Sequence, residues 1–196
     1  EDYKQYRPKR YMEERPENDG YVQPYSDTPL DSETVGENIY LNIISSAVKY
    51  LYITTPYLII DNELSTALCL AAKRGVDVRI ITPGIPDKKL VFLVSQSYYH
   101  KLVDAGIKIY EYTPGFIHAK NVVCDDKIAT VGTVNWDYRS LYLHFECGVF
   151  LYNTSSIQDI YDDFMKTVEV SRQVTREDCM KPLPALMTQS ILRVFS

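Results

Sequence analysis

"YLYITTPYLIIDNELSTALCLAAKRGVDVRIITP", residues 50–83, changes its hydrophobic period twice. "YLYITT" (50–55) is apolar and β-branched without a polar break, as a strand buried on both faces requires. "NELSTALCLAAKRG" (62–75) spaces its apolar residues three and four apart and closes on Lys73-Arg74-Gly75, the usual end of a helix. "VDVRIIT" (76–82) is a strand again. The alternation continues outward: "KKLVFLVSQSYYHKLVDAG" (88–106) predicts a helix stopped at Gly106, and "IKIYEY" (107–112) a strand. Upstream, a helix is expected from Asp31 to Ser32 onward, with Val35, Ile39, Asn42, Ile43 and Ala47 on one face. Strands interleaved with helices predict an α/β protein, an α-β-α layered sandwich around a mixed, mostly parallel central sheet.

The chain has 196 residues, of which 45% are hydrophobic and 24% charged, enough to bury the core of one domain. Residues 1–29, rich in charge, Tyr and Pro without a period, read as an extended, partly disordered lead-in, and 30–196 as the domain. Glu1 is preceded by no initiator Met, so the sequence is expected to be a piece of a longer chain. The longest mostly apolar stretch, Tyr50 to Ile60, is interrupted by Thr54, Thr55 and Pro56 and falls short of the roughly 20 residues that span a bilayer. Near the C-terminus, 183–196 places Leu186, Met187, Ile191, Leu192 and Phe195 at helical spacing, which fits a membrane-associated helix or one packed on the domain. Cys69, Cys124, Cys147 and Cys179 stand singly, the first three in apolar patterns, and point to reduced core thiols rather than a disulfide or zinc framework. A net charge of −5 argues against nucleic acid as a partner. Seventeen tyrosines suggest an interfacial surface, with core packing as the alternative.

"HAKNVVCD" (118–125) carries the chemistry. On a strand His118 and Lys120 project to the same side. A neutral imidazole beside an ammonium suits attack on a phosphate, because the lysine neutralises the anion that would repel the nucleophile. Asp125 has the opposite parity and is expected to brace a hairpin turn at 125–127 between "KNVVCD" and "IATVG". Beyond it, Gly132 would let backbone approach a ligand, and Thr133 and Asn135 share a face that offers a hydroxyl and an amide to phosphate oxygens. Glu146 opens the apolar strand "ECGVFLY" (146–152), where it can accept the second ring N–H of a histidine or pair with Arg139. Ser155 with Gln158 predicts a capping box for a last helix to Val170. Tyr57 and Pro56, and Phe116 and Ile117, are candidates for a lipid groove or lip, or for ordinary packing.

The pattern His118-x-Lys120-x4-Asp125, Gly132-Thr133-x-Asn135 and Glu146 resembles the HKD signature of the phospholipase D superfamily. "GYVQPYSDTPLD" (20–31), "YLYITTPYLIID" (50–61), "AAKRGVDVRIITPGIPDKK" (71–89) and "HAKNVVCDDKIATVGTVNWDYRSLYLHFE" (118–146) are similar to the C-terminal halves of bacterial cardiolipin synthases. The sequence departs from that pattern at His144, where Asn is expected, and at the bulky Trp136; both bear on the pocket wall. The resemblance implies a phosphatidyltransferase working through a phosphohistidine, with His118, Lys120 and Asp125 as the catalytic signature, Thr133 and Asn135 binding substrate, and Glu146 behind them. It also implies no metal and no cofactor, phosphatidylglycerol or other phospholipids as substrate, and the cytoplasmic face of the bacterial membrane as the place of work. A complete site needs two such motifs, and no second H-x-K exists here, so the partner is either an N-terminal HKD half or a second copy of the chain. The competing readings are a single-motif phosphodiesterase, phospholipase or nuclease acting as a homodimer, and a noncatalytic interaction domain.

Overall fold

The computed structural model describes residues 19–180. In chain order these form β1 (Tyr21–Asp27), α1 (Val35–Ser46), β2 (Tyr50–Thr54), β3 (Leu58–Ile59), α2 (Asn62–Lys73), β4 (Asp77–Pro83), α3 (Lys89–Asp104) and β5 (Lys108–Tyr112). The second half follows as β6 (Asn121–Cys124), β7 (Ile128–Gly132), β8 (Trp136–Asp137), α4 (Tyr138–Tyr142), β9 (Glu146–Tyr152), α5 (Ser156–Glu169) and β10 (Ser171–Gln173). Eight strands make one sheet in the order β1-β9-β7-β6-β2-β4-β5-β10, and β3 pairs with β8 apart from it.

The sheet is mixed, but the parallel pairs are only β2–β4 and β4–β5; the other five are antiparallel. The expectation of mostly parallel pairing is therefore corrected. A parallel pair needs a crossover helix, and α2 and α3 supply the only two between sheet neighbours, whereas β6 and β7 are joined by a tight turn.

Strand β2 shows why the sheet is buried on both faces. Leu51 and Ile53 join a core with residues of α1, α2 and α3, while Tyr50 and Tyr52 point the other way to Ile157 and Phe164 of α5. Tyr52 stacks on Phe164 at 4.8 Å, and Tyr50 and Tyr52 both contact Tyr161. Six tyrosines among the described residues are buried, so much of the tyrosine content serves internal packing rather than an interface. The three-layer sandwich holds as expected.

Several local expectations change. Tyr21–Asp27, read as lead-in, is an edge strand paired to β9 along its whole length. Its Pro24 lacks an amide hydrogen and is tolerated at an edge. Asp27 at its buried end accepts from Gly36 N at 2.7 Å, in the first turn of α1. The Ser155–Gln158 capping box does not form, because both the amide and the hydroxyl of Ser155 donate to Asp19 and Gln158 donates to Asp162. Cys69, Cys124, Cys147 and Cys179 are free, but Cys147 is exposed, not a core thiol. No helix among the described residues is long and apolar enough to cross a membrane. The expected helix at 183–196 lies outside the described residues.

Candidate active site

His118 and Lys120 leave β5 through an irregular segment and sit just ahead of β6, so they lie at a strand's mouth and not within it. The β6–β7 ladder nonetheless reaches them, since Gly132 N donates to Lys120 O at 3.2 Å. That register, with Asn121 opposite Val131, brings Lys120 beside Gly132 and Thr133. Thr133 and Asn135 likewise follow the end of β7. Together they surround a cleft of about 420 Å³ lined by His118, Lys120, Asn121, Gly132, Thr133 and Asn135.

The electrostatics suit an anion. Burial and the adjacent Lys120 charge hold the His118 pKa below its ordinary value of 6.5, against a pull upward from Asp87. Its imidazole is therefore mostly neutral near pH 7. Burial also lowers the Lys120 pKa, while Glu146 and Asp137 oppose the shift. The Lys120 ammonium donates to the His118 carbonyl at 2.7 Å, which keeps its head next to the histidine. Phe116 lies tilted against the His118 ring at 5.6 Å between centroids.

Behind the cleft runs a string of polar contacts. Thr133 Oγ1 donates a very short hydrogen bond to the buried Glu146, and the same hydroxyl accepts from Cys147 N at 3.0 Å. The other Glu146 oxygen faces His144 Nδ1 at 3.8 Å, and His144 Nε2 accepts from Arg139 Nε at 2.8 Å. Arg139 thus reaches Glu146 through His144 rather than directly. Because Nε2 is an acceptor, the proton of a neutral His144 sits on Nδ1, toward the carboxylate. His144, a departure from the resembled pattern, is part of this support rather than of the cleft lining. Asn135 donates to Ser140 Oγ at 2.8 Å, leaving its Oδ1 buried without a protein partner. The expected phosphate-facing amide is thus partly committed to α4. Asp137 caps α4 by accepting from Ser140 N at 2.7 Å, and burial foremost raises its pKa. Trp136 does not wall the cleft; it stacks on Tyr40 at 4.4 Å in the core.

Asp125 stands away from the cleft. Its carboxylate accepts from the backbone amides of Val48, Lys49 and Tyr50 at 2.7, 2.8 and 2.8 Å, tying the hairpin turn to the start of β2. Gly132 is required by close strand packing, since a Cβ there would lie 2.4 Å from Cys147 O. Sequence reasoning missed Asp137, Ser140 and the coupling of Arg139 to His144. Only the polar run around a two-residue strand could have signalled them.

A family model described as cardiolipin synthase, PLD-like domain, matches residues 40–168. An uncharacterized protein of Streptococcus mutans is 57% identical over 162 residues, covering 83% of this chain and 35% of that protein. A cardiolipin synthase of Halalkalibacterium halodurans is 42% identical over 160 residues, covering 82% and 32%. The chain spans about a third of the length of these curated relatives. Among solved structures, phosphatidylserine synthase of Haemophilus influenzae gives a TM-score of 0.71 at 17% identity, covering 89% of this chain and 45% of that one. Nuc of Salmonella typhimurium, a phospholipase D family member, gives 0.66 at 19%, covering 79% and 97%. These two likenesses share the fold. With the matched span and the relatives' identity, the chain belongs to the PLD-like domain family of cardiolipin synthases.

Proposed function

We propose that this chain is one half of a phosphatidyltransferase that converts two phosphatidylglycerols to cardiolipin and glycerol, working at the cytoplasmic face of the bacterial membrane. The observation that carries the reading is the convergence of a largely neutral His118, the Lys120 ammonium, and Thr133 and Asn135 on one cleft. Two histidines share the reaction, one from this chain and one from a second HKD motif. One ring nitrogen attacks phosphorus as the bond to the leaving glycerol oxygen breaks, and the other histidine gives that oxygen its proton. The second histidine, now neutral, takes the proton of an acceptor phosphatidylglycerol hydroxyl. That oxygen attacks phosphorus and the P–N bond breaks. Lys120 offsets the charge on the phosphoryl oxygens throughout.

Glu146 and Thr133 hold the cleft's far wall in this scheme, and Asp125 holds the hairpin. The buried Asn135 Oδ1 suits a hydroxyl donor of a glycerol headgroup better than a phosphate oxygen. The test is phosphatidyl transfer on phosphatidylglycerol vesicles, with products resolved by mass spectrometry, for this chain alone and mixed with the N-terminal half of its full-length protein. Cardiolipin formed only on mixing is the expected result. Turnover by the chain alone, giving phosphatidic acid and no cardiolipin, would replace the reading by a homodimeric phosphodiesterase.

A further inference from the structure

The turn after β4 and the first turns of α3 present a surface that His118 chemistry does not use. Ile85 is 51% exposed, Leu90 65% and Leu93 38%, and Lys88 and Lys89 stand exposed between them. Scattered exposed leucines are ordinary, but here the apolar side chains flank a lysine pair within one short stretch of chain, a lip after the end of β4. Leu90 and Leu93 are three residues apart on α3 and so share a face.

The lip adjoins the cleft. Gly84 N donates to Tyr112 O at 2.8 Å, pinning the turn to the end of β5, from which the segment to His118 departs. Asp87 is held by Tyr57 OH at 2.6 Å, and its charge is felt at His118. Phe116, 39% exposed beside the His118 ring, lies on that departing segment. The charge is inverted relative to the whole: the chain carries −5, yet residues 84–93 hold Lys88 and Lys89 against Asp87 alone.

We propose that this lip is the chain's membrane-docking element. Ile85, Leu90 and Leu93 enter the headgroup–acyl boundary of an anionic bilayer, and Lys88 and Lys89 pair with lipid phosphates, so that the His118 cleft opens at the bilayer surface where its substrate lies. The inference rests on the phospholipid reading above. Apolar side chains beside a basic pair fit an anionic interface, whereas a protein partner buries its charges less readily.

The test uses Leu90→Gln/Leu93→Gln and Lys88→Gln/Lys89→Gln, all at exposed positions. Transfer by the chain combined with its N-terminal half is compared on phosphatidylglycerol vesicles and on short-chain phosphatidylglycerol dissolved as monomers. Both variants are expected to lose about tenfold on vesicles and to keep wild-type turnover on monomers. Equal loss on both substrates would overturn the proposal in favour of a lip that packs on the N-terminal half, and wild-type turnover on both would show the lip idle. If the unsubstituted protein transfers neither lipid, the functional reading fails. Flotation of this 196-residue chain with vesicles of phosphatidylglycerol against phosphatidylcholine alone then decides the lip by itself. Flotation favouring the anionic vesicles and weakened in both variants supports it; indifference to lipid charge or to the substitutions overturns it.

Discussion

At one end of the β6–β7 hairpin, His118, Lys120, Thr133 and Asn135 gather around an open cleft. At the other, about 16 Å along the strand at ~3.3 Å per residue, Asp125 spends its carboxylate on three backbone amides of the chain entering β2. One sequence signature therefore divides into two kinds of work. The histidine and lysine leave their polar ends accessible and carry lowered pKa values, while the aspartate is saturated with hydrogen bonds. The strands between them, Val122 and Val123 against Thr130 and Ala129, are buried and hold the two ends at fixed separation. A signature can thus be read as one motif while only part of it lines the cleft.

The contrast is broken most severely at His118. In the full-length protein His118→Ala is expected to lower phosphatidyl transfer by at least about 10⁴-fold with the melting temperature unchanged, checked by mass-resolved product formation and circular dichroism. Lys120→Met comes next, with a loss of about 10²- to 10³-fold, again without unfolding. It also sharpens the role of His118. Burial and Lys120 both depress the His118 pKa, so a nucleophilic His118 keeps activity as pH falls below 6.5, and removing the ammonium moves that acid limb upward. A limb on the alkaline side that moves the same way would assign His118 to general acid instead.

At the structural end the expected loss is of stability. Asp125→Ala leaves three amides without their acceptor and should cost about 2–3 kcal/mol in urea unfolding, with turnover per folded molecule near wild type. Asp125→Asn should recover part of that, because Asn keeps one acceptor oxygen and tolerates the positive φ of 52° found there. The smallest effect is expected at the support behind the cleft. His144→Asn keeps a donor near the place of Nδ1 but gives up the contact with Arg139, and should reduce kcat less than about tenfold with KM little changed.

Much of this was legible before the fold was known. The apolar period of β2, α2, β4, α3 and β5 and the run of β9 are consequences of burial on one or both faces, and burial writes directly into sequence. The chemistry-bearing pairs His118/Lys120 and Thr133/Asn135 were legible because alternation along a strand survives even where they fall just beyond its ends. The bracing role of Asp125 followed from the same parity.

What was not legible depends on distant pairing. Leu58 and Ile59 are a strand only because Trp136 and Asp137 lie beside them, and nothing in two residues announces that. β1 hides behind Pro24 and an exposed polar pattern, since an edge strand needs only one neighbour. The antiparallel bias of the sheet is a property of chain order, not of any segment's composition. Glu146 was found from its isolation in an apolar strand, but its partners Thr133 and His144 are set by how β7 and β9 pair and by the loop carrying Arg139 and His144.

The most direct measurement is a paired one on the full-length protein: urea unfolding and transfer rate per folded molecule for His118→Ala and Asp125→Ala side by side. The division of labour predicts wild-type stability with negligible transfer for the first, and lowered stability with near-normal transfer for the second. An Asp125→Ala protein that is fully stable yet inactive, or a His118→Ala protein that still makes cardiolipin, would contradict it.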